Sequence, residues 1–297
     1  MTLSLIEFLK QPQSPDQRLR DTVSASKLNL WLKCPLAFKR RYIDGVPSMM
    51  NPNFFFGRVV HDVLDGVYRC AMVGAYAIAD DIPQFVDDSW ARAMNSEPCA
   101  FSVEQEEKLK AQAAALVIAY LDNTDVSNEC PLAVEQRYEV PLIDHLTGED
   151  FGITLVGIVD LLLDGDGGPS IVDFKTSSTA SSNCELSHEI QLTGYSYLIR
   201  EVFGRKESEL QIRQLVKTKS PKILTFSYPP RTDGHFERFF GIIREYLAVI
   251  DKGIYNYRPG FGCQMCEHSG SCVSLTPSSY NKELKQCPPT QLCATGN

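Results

Sequence analysis

A predicted β-hairpin near the middle of the chain constrains the fold more than any other stretch of the sequence. Its two strands, residues 157–163 and 171–175, are rich in Ile, Val and Leu, as buried strands are. The run between them, residues 164–169, consists of Asp, Gly and Pro, which is typical of a turn. The sequence therefore predicts that this hairpin lies inside the protein.

Three charged residues interrupt these apolar strands: Asp160 in the first, and Asp173 and Lys175 in the second. Side chains two residues apart on a strand point to the same face, so Asp173 and Lys175 project together. If the hairpin closes symmetrically, Asp160 lies opposite Asp173, with Cβ atoms about 4.5–5.5 Å apart. Two carboxylates at that distance repel each other unless a cation lies between them, and oxygen ligands are those of Mg²⁺ or Mn²⁺. The alternative is a structural Asp–Lys ion pair with the second Asp at the surface.

The size and composition of the chain are those of a soluble globular protein. It has 297 residues, of which 43% are hydrophobic and 22% are charged. No apolar run approaches the roughly 20 residues that cross a membrane. The first residues lack a basic segment and include Glu7, so we expect no signal peptide and a cytoplasmic location.

The distribution of charge leaves the kind of partner open. A net charge of −8 argues weakly against a nucleic-acid partner, but acidic metal ligands would contribute to that charge. Two basic clusters could hold phosphates or could be solvated faces. The first contains Lys33, Lys39, Arg40 and Arg41, and the second contains Lys217, Lys219 and Lys222.

The pattern of apolar residues predicts one α/β domain over residues 24–275, between a flexible segment (1–23) and a C-terminal tail (276–297). A helical insertion is expected at about 80–125, where Ser102 and Gln105 form a capping box. Helices are predicted at 24–34, 36–42, 55–79, 82–94, 102–121, 186–203 and 233–250. Strands other than the hairpin are predicted at 130–143, with Glu135, Arg137 and Glu139 on one face, and at 210–216 and 223–228.

Ten cysteines without a secretion signal indicate metal binding or buried thiols rather than disulfides. Residues 260–275 contain Cys263, Cys266 and Cys272, which could bind one metal centre together with a fourth ligand. The candidates for this ligand are Cys34, His268, Cys287 and Cys293. Composition does not decide between zinc and an iron–sulfur cluster. The remaining cysteines, Cys70, Cys99, Cys130 and Cys184, are expected to be buried or half-buried apolar residues.

Several motifs follow one another in a recognisable order. His61 lies on a predicted helix, and Gln191 and Tyr195 share a helical face because they are four residues apart. The motifs are a basic helix with Cys34, Gly57-x3-His61, Gly157-x2-Asp160, Asp173-x-Lys175, Gln191-x3-Tyr195, and C-x2-C-x5-C at 263–272. Over residues 24–275 this order resembles the RecB-like, iron–sulfur branch of the PD-(D/E)XK nuclease superfamily. That branch includes CRISPR-associated RecB-like exonucleases, AddB nuclease domains and exonuclease V.

The resemblance implies a fold and a set of site residues. The fold would be a restriction-endonuclease-like core, with a mixed central sheet flanked by helices. His61, Asp160, Asp173 and the backbone carbonyl of Phe174 would bind Mg²⁺ or Mn²⁺. Lys175 would orient the attacking water and stabilise charge on the phosphate, and Gln191 and Tyr195 would support the site and the DNA. A [4Fe–4S] cluster, with zinc as the less favoured occupant, would join the N- and C-terminal segments as a clasp through Cys34, Cys263, Cys266 and Cys272.

The implied function is a metal-dependent DNA exonuclease acting on single strands or duplex ends in recombination, repair or CRISPR spacer processing. The metal would polarise the phosphoryl oxygen, and Lys175 would place a fixed positive charge near it. Recombination or CRISPR proteins, or a second copy of the chain, are possible partners. The alternative is a non-catalytic DNA-binding or assembly module with the same fold. The intact acidic pair and Lys175 argue against that alternative, because such a module has little reason to keep buried charges together.

Overall fold

The computed structural model describes residue 19 and residues 21–47, 51–96, 99–180 and 184–274. Within these ranges the chain forms a six-stranded mixed sheet, which confirms the expected sheet type. The strands are β1 (Thr22–Val23), β2 (Pro131–Asp144), β3 (Glu149–Leu163), β4 (Ser170–Ser177), β5 (Glu209–Val216) and β6 (Lys222–Tyr228). They lie in the order β1-β3-β4-β5-β6, and β2 also pairs with β3. The β1–β3 and β4–β5 pairs are parallel and the others are antiparallel.

The central hairpin has the predicted register, but its ladder is short. Leu161 pairs with Val172, and the pairing continues towards the turn as far as Leu163 and Ser170. Extending this register by one residue would set Asp160 opposite Asp173, where the pairing stops. There the Asp160 carboxylate takes the place of a backbone partner, since its Oδ2 accepts a hydrogen bond from the Phe174 N–H at 2.8 Å. The two strands therefore separate at the acidic residues.

Helices cover both faces of the sheet and form two cores. Successive strand residues alternate between them, so that Leu162 and Ile171 pack in one core and Leu161 and Val172 in the other. The first core includes α1 (Ala25–Lys33), α2 (Pro35–Tyr42), α6 (Cys184–Phe203) and α7 (Asp233–Asp251). The second includes α3 (Pro52–Met72), α4 (Ile82–Ser96) and α5 (Val103–Asn123), and a short helix, α8, spans Ser269–Ser274. No helix in the described ranges is long and apolar enough to cross a membrane.

The range 80–125, where a helical insertion was expected, contains α4 and α5, and α5 begins with the predicted capping box of Ser102 and Gln105. Pro35 starts α2 rather than merely ending α1. One helix was predicted too long, because α3 ends at Met72 and not near residue 79. Gly74 follows with φ +74°, a left-handed conformation that ends helices and that glycine adopts without steric cost.

The predicted boundary of the N-terminal segment needs a correction. Thr22 and Val23 pair with Thr154 and Leu155 of β3, and the side chains of Leu19 and Val23 are buried. The folded part of the chain therefore includes residues that were expected to be flexible. Most of the remaining 1–23 segment, the 276–297 tail, Cys287 and Cys293 lie outside the described residues.

Arginine side chains join the N-terminal helices to the C-terminal segment. Buried Arg40 of α2 donates from Nη1 to the backbone oxygen of His268 at 3.1 Å and to the Cys272 Sγ at 3.2 Å. Arg258 donates to the backbone oxygen of Leu32 at 2.7 Å. These hydrogen bonds connect parts of the chain more than two hundred residues apart, so a clasp between the two segments exists in the form of protein contacts.

We expect Arg40→Ala to lower the free energy of unfolding by about 1–3 kcal/mol, because it removes the hydrogen bonds of a buried charged donor to the His268 oxygen and the Cys272 sulfur. Arg41→Ala is the matched control on the same helix. Arg41 is about half exposed, and its nearest acidic contact, Glu267 Oε1, is 3.9 Å away. Denaturant unfolding of both variants measures the difference, and an Arg40→Ala variant as stable as Arg41→Ala would contradict the structural role of the clasp.

Candidate metal centre

A group of three possible ligands lies where β3 leaves the hairpin ladder. His61 of α3 places its Nδ1 3.5 Å from Asp160 Oδ2 and 3.8 Å from Glu135 Oε1. One ligand atom from each of these residues lies within 4.8 Å of the others, and this is the only such group among the residues that the structure describes. An imidazole with two carboxylates is a donor set that suits a divalent metal ion.

Glu135 is the site residue that the sequence reasoning missed as a ligand. Its neighbours Val134 and Gln136 pair with Leu161 and Val159, so Glu135 lies opposite Asp160 across the β2–β3 pair. It has φ +45°, an uncommon conformation for any residue other than glycine and one often kept at functional positions. The sequence placed Glu135 on one face of its strand, but only the register with β3 would have pointed to the metal group.

A hydrogen-bonded chain continues from Asp173 to α6. Lys175 Nζ donates to Asp173 Oδ1 at 2.9 Å and to Gln191 Oε1 at 3.0 Å. Gln191 Nε2 donates to Asp173 Oδ1 at 2.9 Å and to the Tyr195 hydroxyl oxygen at 2.8 Å. The predicted helical pair of Gln191 and Tyr195 therefore holds the Asp173–Lys175 pair in place. The Asp173 side chain is fully buried, whereas that of Lys175 is 24% exposed.

The buried carboxylates of this site carry an electrostatic cost. Burial raises the pKa of Asp160 and of Asp173 above the usual range, although nearby His61 and Lys175 act in the opposite direction. Burial lowers the pKa of His61, but Asp160 and Glu135 outweigh it, and the net shift of that pKa is upward. Burial is thus the main cause of both carboxyl shifts, and a bound divalent cation would stabilise the charged forms of these groups.

An open cleft of about 970 Å³ gives access to the group. The residues that line it include His61, Glu135, Asp160, Phe174, Lys175, Gln191 and Tyr195. The Phe174 ring points away into the second core, where its centroid lies 6.1 Å from Tyr68 and 5.7 Å from Tyr120. The structure thus gathers the predicted site residues around one cleft, but Asp173 lies behind Lys175 and outside the group of three ligands.

The cysteines do not form the expected cluster site. Cys34, Cys263, Cys266 and Cys272 are all free, and among the described residues no three of them bring their sulfur atoms within 4.8 Å of one another. The predicted [4Fe–4S] or zinc centre is therefore not supported. Along the chain, these thiols have the spacing of a metal site. Their arrangement in space depends instead on how α8 packs against α2.

The basic clusters have different environments. In the first, Lys39 pairs with Asp44 at 2.6 Å, and Arg40 is buried in the clasp. In the second, Lys217 Nζ donates to Asn53 Oδ1 at 2.9 Å, and Asn53 lines the cleft. Of these contacts, only that of Lys217 reaches a residue that lines the cleft.

Comparisons with known proteins give a family and one structure with a similar fold. A family model described as the PD-(D/E)XK nuclease superfamily matches residues 22–273. No curated protein matches the chain. A crystal structure of a protein from Eubacterium rectale, provisionally named an exonuclease, is similar with a TM-score of 0.54 and 14% identity, covering 90% of this chain and 93% of that one. A structure titled SSO0001 covers 91% of this chain and 92% of its own, with 12% identity and a TM-score of 0.41.

Proposed function

Since this chain belongs to the PD-(D/E)XK nuclease superfamily, we propose that it is a divalent-metal-dependent exonuclease that hydrolyses phosphodiester bonds in DNA. The observation that carries the proposal is the meeting of His61, Glu135 and Asp160 beside the Asp173–Lys175 pair in one open cleft. Acidic ligands next to a fixed lysine suit hydrolysis of a phosphate ester, because the reacting group is anionic and gains further charge in the transition state.

Each residue of the cleft has a proposed part in the reaction. His61, Glu135 and Asp160 would hold the metal ion, with Asp173 and the Phe174 carbonyl as further candidates. When bound, the ion supplies Lewis-acid stabilisation of the charge on the scissile phosphate. Mg²⁺ or Mn²⁺ fits this donor set.

Lys175 is proposed to orient the attacking water and to place its charge beside the phosphate. An ammonium group has three donors, and Asp173 and Gln191 accept two of them. Its Nζ also lies 2.7 Å from Asp173 Oδ2, and the side chain is 24% exposed where it lines the cleft. Tyr195 acts through Gln191, since its hydroxyl accepts the second hydrogen of the amide and fixes the amide plane. Burial raises the pKa of Tyr195 well above its usual range, which keeps the phenol neutral.

The order of the motifs also supports a place near the RecB-like branch of the superfamily. Three elements that carry the motifs meet at the cleft. They are the helix with Gly57 and His61, the strands with Asp160 and Asp173–Lys175, and the helix with Gln191 and Tyr195. DNA with single-stranded regions or free ends is the proposed substrate, in recombination, repair or spacer processing. The iron–sulfur character of that branch gains no support from the positions of the thiols.

A time course on end-labelled single-stranded DNA tests the proposal. We expect shortening of the linear strand with Mn²⁺ or Mg²⁺, no shortening with EDTA, and survival of a closed circular strand of the same sequence. Cleavage of the circle would show an endonuclease instead. Tight binding to DNA without cleavage by any divalent ion would favour the non-catalytic module.

The close packing of Gly57 against β4 leads to a prediction about His61. A Cβ at position 57 would lie 2.9 Å from the Thr176 Oγ1, so Gly57→Ala requires a shift of α3 or of the Thr176 side chain. Alanine would by itself favour a helix by about 0.5–1 kcal/mol over glycine. His61 lies one turn further along α3, and we expect its displacement to lower the cleavage rate about 10- to 100-fold.

The second substitution Thr176→Ala removes the clashing oxygen and is expected to restore most of the rate to Gly57→Ala. The measurements are single-turnover rates together with the unfolding midpoint of each variant. An inactive double variant of normal stability would show that the loss does not come from this contact.

A further inference from the structure

One wall of the cleft carries an aromatic side chain that the proposed chemistry does not use. Residues 54–56 are three consecutive phenylalanines at the start of α3. Phe55 and Phe56 are fully buried in the second core, whereas Phe54 is 73% exposed and lines the cleft. Single exposed apolar residues are common, so exposure alone carries no meaning. What carries meaning is the position of the Phe54 ring relative to the three candidate metal ligands.

Phe54 lies on the same stripe of α3 as His61. Residues at i, i+3 or i+4, and i+7 share a helical face, and Phe54, Gly57, Arg58 and His61 all line the cleft. Seven residues at 1.5 Å each set the backbone of Phe54 about 10 Å from that of His61 along the helix. A DNA strand held at the three candidate metal ligands can therefore extend along α3 towards the exposed Phe54 ring.

A cation lies at the same end of the helix. Lys217, at the end of β5, holds its Nζ 2.9 Å from Asn53 Oδ1 and 4.5 Å from the centroid of the Phe56 ring. This arrangement fixes a positive charge next to Asn53, the residue that precedes Phe54. An exposed aromatic face beside a fixed cation is the combination that binds a base and its neighbouring phosphate in single-stranded nucleic acids.

We propose that Phe54 forms a nucleobase-stacking subsite of the cleft, and that Lys217 binds the phosphate next to the stacked base. This inference rests on the proposed function, because it concerns the strand that enters the same cleft. A base within an intact duplex has both faces covered by its neighbours, so the subsite selects an unpaired strand. It contributes to binding of the strand and not to the chemical step.

Fluorescence anisotropy with a labelled oligothymidylate and with a blunt duplex, both with Ca²⁺ as the divalent ion, tests the subsite. We expect Phe54→Ala to weaken single-strand binding about 5- to 150-fold and to leave duplex binding unchanged. Phe54→Trp keeps an aromatic face and should bind nearly as the wild type does. Phe261→Ala is the matched control, because Phe261 is 83% exposed and does not line the cleft.

Lys217→Met should weaken binding and reduce the slope of log affinity against log salt by about one. The subsite is refuted if Phe54→Ala binds the single strand as the wild type does, if it loses duplex binding equally, or if the wild type does not bind the single strand. Failure of the proposed function is a different result, since it is a lack of metal-dependent cleavage in the wild type, whatever residue stands at position 54.

Discussion

Replacing Lys175 with methionine is expected to lower the rate of metal-dependent DNA cleavage about 10²–10³-fold without loss of metal binding. Methionine keeps most of the length of the side chain but removes the charge and the donors to Asp173 and Gln191. The substitution removes the positive charge that the phosphate would meet, while His61, Glu135 and Asp160 stay in place. Single-turnover kinetics with saturating Mn²⁺ measure the effect.

Asp160→Asn is expected to give the complementary result. Asp160 contributes an oxygen to the three-ligand group and accepts the Phe174 N–H at 2.8 Å, so its replacement should weaken Mn²⁺ binding as well as cleavage. Calorimetry or the electron paramagnetic resonance of free Mn²⁺ measures Mn²⁺ binding, which should be weakened in Asp160→Asn but not in Lys175→Met. If both residues serve one step, combining the substitutions should cost little more than the stronger of the two alone.

The control for both variants is Lys108→Met, at an exposed position of α5 far along the chain from the site residues. It should cleave as the wild type does. Normal cleavage by folded Lys175→Met and Asp160→Asn would reduce the hairpin charges to a structural ion pair and would place the cleavage chemistry at other residues.

The second large effect is expected at Glu207, whose side chain is fully buried between α6 and β5. Arg200 donates to both of its oxygens, at 2.8 and 2.9 Å. The Ser196 hydroxyl and the Arg231 N–H each donate to its Oε1 at 2.7 Å. We expect Glu207→Gln to lower the free energy of unfolding by about 3–5 kcal/mol, because it leaves the Arg200 charge without its partner.

Glu201→Gln is the matched control, since Glu201 is an exposed residue one position after Arg200 on α6. Its effect should stay within about 0.5 kcal/mol. Glu207 is not among the residues that line the cleft, so Glu207→Gln should affect Gln191 and Tyr195 of α6 only through stability. Cleavage well below the unfolding midpoint should therefore persist, and equal stability of the two variants would refute the role of this network.

The contribution of Glu207 to stability should depend on pH. Burial raises its pKa, but the hydrogen bonds from Arg200, the Arg231 N–H and Ser196 outweigh burial and hold that pKa below the usual value. A depressed pKa in the folded state stabilises the fold above the unfolded pKa, which is about 4.3 for Glu. This stability is lost as the pH falls from there through the folded pKa. The difference between wild type and Glu207→Gln in denaturant unfolding should accordingly stay nearly constant above about pH 5 and shrink as the pH falls below about 4.3.

The sequence by itself determined the local parts of this protein. The register of the central hairpin follows from the turn at 164–169, and the shared face of Gln191 and Tyr195 follows from their spacing on one helix. The capping box of α5 is likewise a contact between residues three apart. These features depend on periodicity and on hydrogen bonds between near neighbours, which a short stretch of sequence contains in full.

Only the tertiary structure decided which distant residues meet. Glu135 joins the metal group because β2 pairs with β3 in one register, and no residue near Glu135 in sequence specifies that pairing. The thiols at 263–272 have the spacing of a metal site, but Arg40 of α2 donates to the Cys272 sulfur, and no three of the sulfur atoms in the described residues lie within 4.8 Å of one another. Phe54 differs from Phe55 and Phe56 only in its position around α3, so the burial of one face of that helix decides which ring reaches the cleft.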